Sequence, residues 1–232
     1  MDCGAGGVTL LTTRRIVDLS RGAEHAVKLS DELRPSLLTT TLATPGQLFV
    51  GFDAGEWGGG LRRIDRVTGK ITVLERNSTG DLCGGPLNTS CDPVNGIASE
   101  PGKSNCIVAA IGLVHFESHG RLVEVCGNQI ERIYFKPFGA QPANQKLKEG
   151  DEPFRTVAFF GLTRAAGALW AAGIDGIYRF RPGSPPEVVP MPRFATIDGV
   201  GVSFAVPGVV LVLTEINRRA SISGAAPMIV SR

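Results

Sequence analysis

Ala168–Met191 reads ALWAAGIDGIYRFRPGSPPEVVPM. An apolar run ends in glycine, a short turn follows, a second run opens on glycine, and a Gly/Ser/Pro turn leads to a third, valine-rich run. Apolar runs bounded by such turn residues are strands. The same order of strand, Gly-bearing turn, strand, polar turn and strand recurs in QLFVGFDAGEWGGGLRRIDRVTGKITVLE from Gln47 and in NCIVAAIGLVHFESHGRLVEVCGNQIERIYF from Asn105. GGVTLLTTRRIVDLSRGAEHAVKLS from Gly6 and GVVLVLTEINRRASISGAAPMIVSR from Gly208 follow it more loosely. One further strand precedes four of these segments, in SLLTTTLAT, NGIASE, TVAFFGLTR and GVGVSFAV. Four strands recurring at a period of roughly 40 residues have the size and grammar of a propeller blade.

The expected fold is therefore all-β: a single β-propeller domain over 1–232, with five four-stranded blades at about 1–33, 36–76, 94–136, 155–190 and 194–232. Little chain precedes Val8, so the N-terminal blade is expected to be incomplete. Helices are disfavoured because few segments place apolar residues at i, i+3, i+4 and i+7, and the chain's 30 glycines and 15 prolines interrupt most windows. The competing architecture is a β-sandwich, which also has short strands and frequent turns.

The phrases LWAAGIDGIYRF and FVGFDAGEWGGGLRRID resemble the blades of sensor-type propellers of bacterial periplasmic proteins. A second, local resemblance lies in Val94-Asn95-Gly96-Ile97-Ala98 and Ile197-Asp198-Gly199-Val200-Gly201, which are similar to strand openings of the gluconolactonase and regucalcin family. That family's corresponding Asn and Asp bind a divalent cation at the channel mouth. The resemblance implies Ca²⁺ or Mg²⁺ at Asn95 and Asp198, an oxygen-donor set suited to those ions. The family's N-terminal Glu ligand has no counterpart here, and Asn-Gly and Asp-Gly are also ordinary turn dipeptides.

Composition narrows function by exclusion. Lys and Arg number 24 against 22 Asp and Glu, interspersed, so no basic patch invites nucleic acid. Apolar runs such as Val209–Leu213 fall short of the roughly 18 residues of a membrane span. The start MDCGAGG lacks the basic segment and apolar core of a secretory signal, so export implies a signal absent from this chain. Five cysteines leave one over. Cys83 with Cys91 and Cys106 with Cys126 are the expected disulfides, leaving Cys3 odd; buried free thiols are the alternative. Such pairs place the protein in an extracellular or periplasmic compartment. Asn77-Ser78-Thr79 and Asn88-Thr89-Ser90 match the glycosylation pattern, a short and weak signal.

In a propeller, the turns between second and third strands and the connections between blades open on one face. The candidate site is that face. It gathers Thr13 and Arg14, then Asp53, Glu56 and Trp57, then His115, Glu117 and His119, then Asp175, then Glu215, Arg218 and Arg219. The long loops 77–94 and 137–153 belong to it as well. The polar turns 66–70 and 181–186 fall on the opposite rim. Trp57, among the glycines of AGEWGGG, is the expected stacking platform, with His115, Arg14 and Arg218 as further ligand contacts. His115, Glu117 and His119 alternate and would offer two imidazoles and a carboxylate to one metal, unless Ser118, His119 and Gly120 form the turn itself.

Two functions follow. The first is a binding module for a small molecule, a carbohydrate or a protein. The second is a hydrolase, either a metal-dependent lactonase-like enzyme or a glycosidase that uses two of Asp53, Glu56, Glu117, Asp175 and Glu215. Nucleophile and phosphate-loop motifs are missing from the sequence, which favours binding.

Overall fold

The computed structural model describes residues 2–4, 7–20, 23–77, 83–142, 152–192, 194, 196, 200–214 and 228–231. Among them lie strands and two single 3-10 turns, Pro35–Leu37 and Gly55–Trp57. The first sheet comprises β1 (Asp2–Gly4), β2 (Gly7–Leu11), β3 (Arg15–Ser20) and β4 (Ala23–Lys28). The second comprises β5 (Leu38–Ala43), β6 (Gln47–Asp53), β7 (Gly59–Asp65) and β8 (Ile71–Leu74). The third has β9 (Val94–Ser99), β10 (Cys106–His115), β11 (Glu117–Cys126) and β12 (Gln129–Tyr134). The fourth has β13 (Phe159–Ala165), β14 (Ala168–Gly173), β15 (Gly176–Phe180) and β16 (Glu187–Pro190). The fifth has β17 (Val200–Ser203), β18 (Val209–Thr214) and β19 (Met228–Ser231).

Every sheet is an antiparallel meander in chain order, and no described strand leaves its sheet to pair in another. A sandwich needs crossovers of that kind, so the repeated four-strand meander decides for the propeller: the protein is all-β and of β-propeller type. Burial follows the blade pattern. The second strands of the middle three sheets, β6, β10 and β14, are buried on both faces over most of their length, and every residue of β14 is buried, whereas β16 at the edge is exposed throughout.

The incomplete sheet is not the one expected. Three residues suffice for β1, which pairs Asp2 with Thr9, Cys3 with Val8 and Gly4 with Gly7, so the N-terminal sheet has four strands. The C-terminal sheet has three among the described residues.

Two compact units divide the chain, Met1–Ile97 and Ala98–Arg232. In the first, the core is Ile16, Leu29 and Leu33 against Leu48, Val50, Phe52 and Ile64, so the first two sheets bury their facing sides on one another. Arg66 ties the same pair together: its guanidinium donates to the Asp18 carboxylate at 2.7 Å, to Thr9 Oγ1 at 3.0 Å and to the Thr44 carbonyl at 2.7 Å. Burial alone would raise the Asp18 carboxyl, but the hydrogen bonds from Thr9 and Arg66 and the charge of Arg66 outweigh it and hold the group below its ordinary value.

In the second unit, alternate residues of β14 serve two cores. Leu169 and Ala171 pack with Val108, Ala110, Leu122, Phe159 and Tyr178, while Ala168, Trp170 and Ala172 pack with Ile177, Val210 and Val212. Gly112 and Gly120 are cross-strand partners in β10 and β11. A Cβ at Gly112 would lie 2.2 Å from the Phe159 carbonyl, and one at Gly120 would lie 2.5 Å from the Val157 carbonyl. These glycines serve the close approach of the third and fourth sheets, not a turn. The hairpin turns instead at Phe116, which has a φ of 60° and projects into solvent.

Both expected disulfides are present. Cys106 and Cys126 lie directly opposite each other in the β10–β11 register with Cα atoms 4.4 Å apart, and Cys83 and Cys91 close their loop at 5.4 Å. No described helix is long and apolar enough to cross a membrane.

Candidate ligand-binding site

In the first unit, the β6–β7 connection carries Trp57 at the end of the Gly55–Trp57 turn, with 77% of the residue exposed. Three glycines follow at positive φ: Gly58 at 80°, Gly59 at 135° and Gly60 at 75°. They admit the backbone of the disulfide loop. The Gly59 N–H donates to the Thr89 carbonyl at 2.9 Å and the Gly60 N–H to the Asp92 carbonyl at 2.8 Å, while a Cβ on Gly58 would meet the Thr89 oxygen at 2.2 Å. The AGEWGGG segment is thus glycine-rich because another backbone lies against it.

Trp57 lines a cavity of about 760 Å³. Phe52, Ala54, Arg62 and Thr89 share its wall, and the segment from Ser30 to Arg34 with Leu37 forms the remainder, alongside Ile71 and Val73. Arg62 sits over the Phe52 ring, its guanidinium carbon 5.6 Å from the centroid, and donates to the carbonyls of Gly59 and Leu61. Burial draws the Arg62 pKa below its ordinary value, and the charge of Glu75 opposes that fall. Asp31 Oδ1 accepts the Glu32 N–H at 2.7 Å, and the exposed Arg14 pairs with Glu32 at 3.1 Å. The Thr12–Arg15 turn is bonded to this wall through Leu29 N–H to Arg14 O and Leu33 N–H to Thr13 O.

Trp57 therefore lines the cavity, whereas Arg14 stands outside the lining and is joined to it by its pair with Glu32. Asp53 and Glu56 belong to the same connection without lining it. Asp53 accepts the Gly55 N–H at 2.7 Å, an Asx-type staple; burial raises its carboxyl above the ordinary value against that hydrogen bond. Of the two glycosylation stretches, Asn88 is buried, its amide accepting from Ser90 N–H, whereas Asn77 is exposed.

The second unit holds the remaining described candidates. His115 and Glu117 pair across the tip of the β10–β11 hairpin. Glu117 is bound by the guanidinium of Arg155, one nitrogen donating at 2.6 Å. His119 Nε2 lies 2.6 Å from Arg121 Nη1 and its Nδ1 3.7 Å from Glu152. The ligand atoms of His115, Glu117 and His119 are not gathered within 4.8 Å; among the described residues Cys106, Glu124 and Cys126 form the one such group of three. Asp175, in the β14–β15 turn, accepts from Lys136 Nζ at 2.7 Å and from the Tyr178 hydroxyl at 2.7 Å. Burial, then the Asp175 hydrogen bond and charge, push the Tyr178 phenol strongly upward, so it stays protonated and donating.

Asn95 is half-buried in β9, while Asp198, Glu215, Arg218 and Arg219 lie outside the described residues. The sequence reading missed the Ser30–Arg34 wall and the buried Arg121. The first had a signal, since that segment joins two blades and such connections share a face with the Trp57 turn.

No protein-family model matches the chain, and no curated protein matches it. Similar solved structures include the extracellular domain of BT4673 from B. thetaiotaomicron, at 16% identity and TM-score 0.47, covering 89% of this chain and 25% of that one. The gluconolactonase XC5397 from Xanthomonas campestris follows at 12% and 0.41, covering 86% of this chain and 65% of that one. The PQQ-bound aldose sugar dehydrogenase from Streptomyces coelicolor is similar at 12% and 0.35, covering 94% and 87%. The chain thus spans a quarter of the length of the first. Its assignment to the propeller type rests on its own sheets.

Proposed function

We propose that the protein is an exported propeller that binds a small polar molecule with one apolar face, a carbohydrate, in the Trp57 cavity. The observation that carries this reading is an exposed indole on the wall of a cavity of about 760 Å³ whose other walls mix hydroxyls, carboxylates and guanidiniums. Such a volume lies within the roughly 300–1,000 Å³ of small-molecule sites. A wholly apolar ligand would strip water from Asp31, Glu32 and Arg34 without replacing their hydrogen bonds. A simple anion would meet carboxylates as well as guanidiniums. A sugar satisfies both demands, with C–H groups against the indole and hydroxyls toward the charged side chains.

The test is calorimetric titration of mono- and oligosaccharides. Trp57→Ala is expected to weaken the best of them by about 1–3 kcal/mol. Tryptophan fluorescence reports the same event, because Trp170 is buried beneath Arg179 and shielded from ligand. Unchanged affinity in Trp57→Ala would remove the site, and no response to any sugar would remove the ligand class.

The hydrolase reading is second because Glu117 is held by Arg155 and Asp175 by Lys136 and Tyr178, an arrangement of fixed structural carboxylates. Export to an extracellular or periplasmic space is supported by the two disulfides. Residues 1–232 are proposed to be one domain, on the strength of the shared four-strand repeat. A single calorimetric unfolding transition with matching van't Hoff enthalpy is expected, and two separated transitions would defeat that part of the proposal.

A further inference from the structure

At the end of the β10–β11 hairpin remote from Phe116, Cys106 and Cys126 face each other and Glu124 lies two residues before Cys126, on the same side of its strand. One ligand atom from each of the three lies within 4.8 Å of the others. Glu100 adjoins them: its N–H donates to the Cys106 carbonyl at 3.0 Å, and its Oε2 is buried without a hydrogen-bond partner among the described residues. Lys103, largely exposed, donates to both Glu124 oxygens at 2.7 and 2.9 Å. The fold has gathered two sulfurs and the Glu124 carboxylate, with the Lys103 ammonium paired to that carboxylate and Glu100 anchored beside them through its backbone.

We propose that this group is a redox-gated zinc site, closed while Cys106 and Cys126 are joined and open when they are reduced. Two molecules of a thiol reductant break the S–S bond, join as their own disulfide, and leave two electrons and two protons on Cys106 and Cys126 as thiols. Zn²⁺ then displaces both thiol protons to solvent and the Lys103 ammonium from Glu124. Two thiolates and the Glu124 carboxylate supply three donors of the types zinc accepts, with water in the fourth position, whereas Ca²⁺ and Mg²⁺ take oxygen donors.

The experiment titrates Zn²⁺ into the full chain, oxidised or reduced with a phosphine that leaves no competing thiol, against a chromophoric chelator. One equivalent is expected to bind after reduction and none before. Cys106→Ser/Cys126→Ser should abolish it, Cys83→Ser/Cys91→Ser should keep it, and Glu124→Gln should weaken it ~10-fold or more. Because metal affinity is linked to folding, Zn²⁺ should also raise the unfolding temperature of the reduced protein. Zinc uptake that survives Cys106→Ser/Cys126→Ser would overturn the proposal. So would equal uptake in denaturing urea, no uptake at all, or an unchanged affinity in Glu124→Gln.

Discussion

Replacing Glu152 with alanine is expected to lower the free energy of unfolding by roughly 3–5 kcal/mol, a large share of a domain's stability. The reason is Arg121, whose side chain in β11 is 1% exposed. Glu152 Oε1 lies 3.6 Å from Arg121 Nη1 and 3.7 Å from His119 Nδ1, Oε2 lies 3.4 Å from Arg132 Nη1, and the Thr156 hydroxyl donates to Oε1 at 3.3 Å. One carboxylate therefore balances a buried guanidinium and joins two strands to the residues before β13. Without it, the buried Arg121 guanidinium loses the carboxylate that faces it among the described residues, and the partly exposed Arg132 loses the same partner. Arg121→Met should cost far less, because it removes the charge while keeping much of the packing volume. Urea denaturation measures both. A Glu152→Ala variant within about 0.5 kcal/mol of the parent would show that other groups balance Arg121.

The strands were legible because a blade's grammar is local. Apolar runs, Gly-bearing turns and the period are all visible in Ala168–Met191, and strand pairing then placed Cys106 opposite Cys126. Features that depend on distant partners were not legible. Ser118-His119-Gly120 carries turn residues, yet Gly120 is glycine because the Val157 carbonyl lies over it, and the hairpin turns at Phe116, whose residue type gives no hint of a φ of 60°. Arg121 reads as a surface cation until Glu152, distant in sequence, is brought beside it. Ser30–Arg34 reads as a solvated polar connection, and only the packing of the first two sheets makes it a wall. Trp57 was legible from its glycines, although those residues answer to the disulfide loop and not to the indole.

That dependence makes the Cys83–Cys91 disulfide the second change of large expected effect. Cys83→Ser/Cys91→Ser should cost about 2–3 kcal/mol of stability through the restored freedom of the unfolded chain. Cys106→Ser/Cys126→Ser should cost about as much or slightly more, because it closes the longer loop, with a sequence separation of 20 against 8. The two variants part at the cavity. The loop closed by Cys83 and Cys91 contributes Thr89 to the wall, and the carbonyls of Thr89 and of Asp92, the residue just after the ring, accept from Gly59 and Gly60 at the positive φ values that follow Trp57. Asp92 Oδ2 in turn accepts the Asn88 N–H at 2.6 Å, so the loop's shape and its grip on the Trp57 turn are set together. Opening the ring should loosen that grip. Sugar affinity is expected to fall roughly 10-fold in Cys83→Ser/Cys91→Ser, about 1.4 kcal/mol, and to stay at the parent value in Cys106→Ser/Cys126→Ser. Acrylamide quenching of Trp57 supplies a readout that needs no ligand, and it should change in the first variant alone. Equal quenching and equal affinity in both would mean that the glycine turn holds Trp57 without help from the loop.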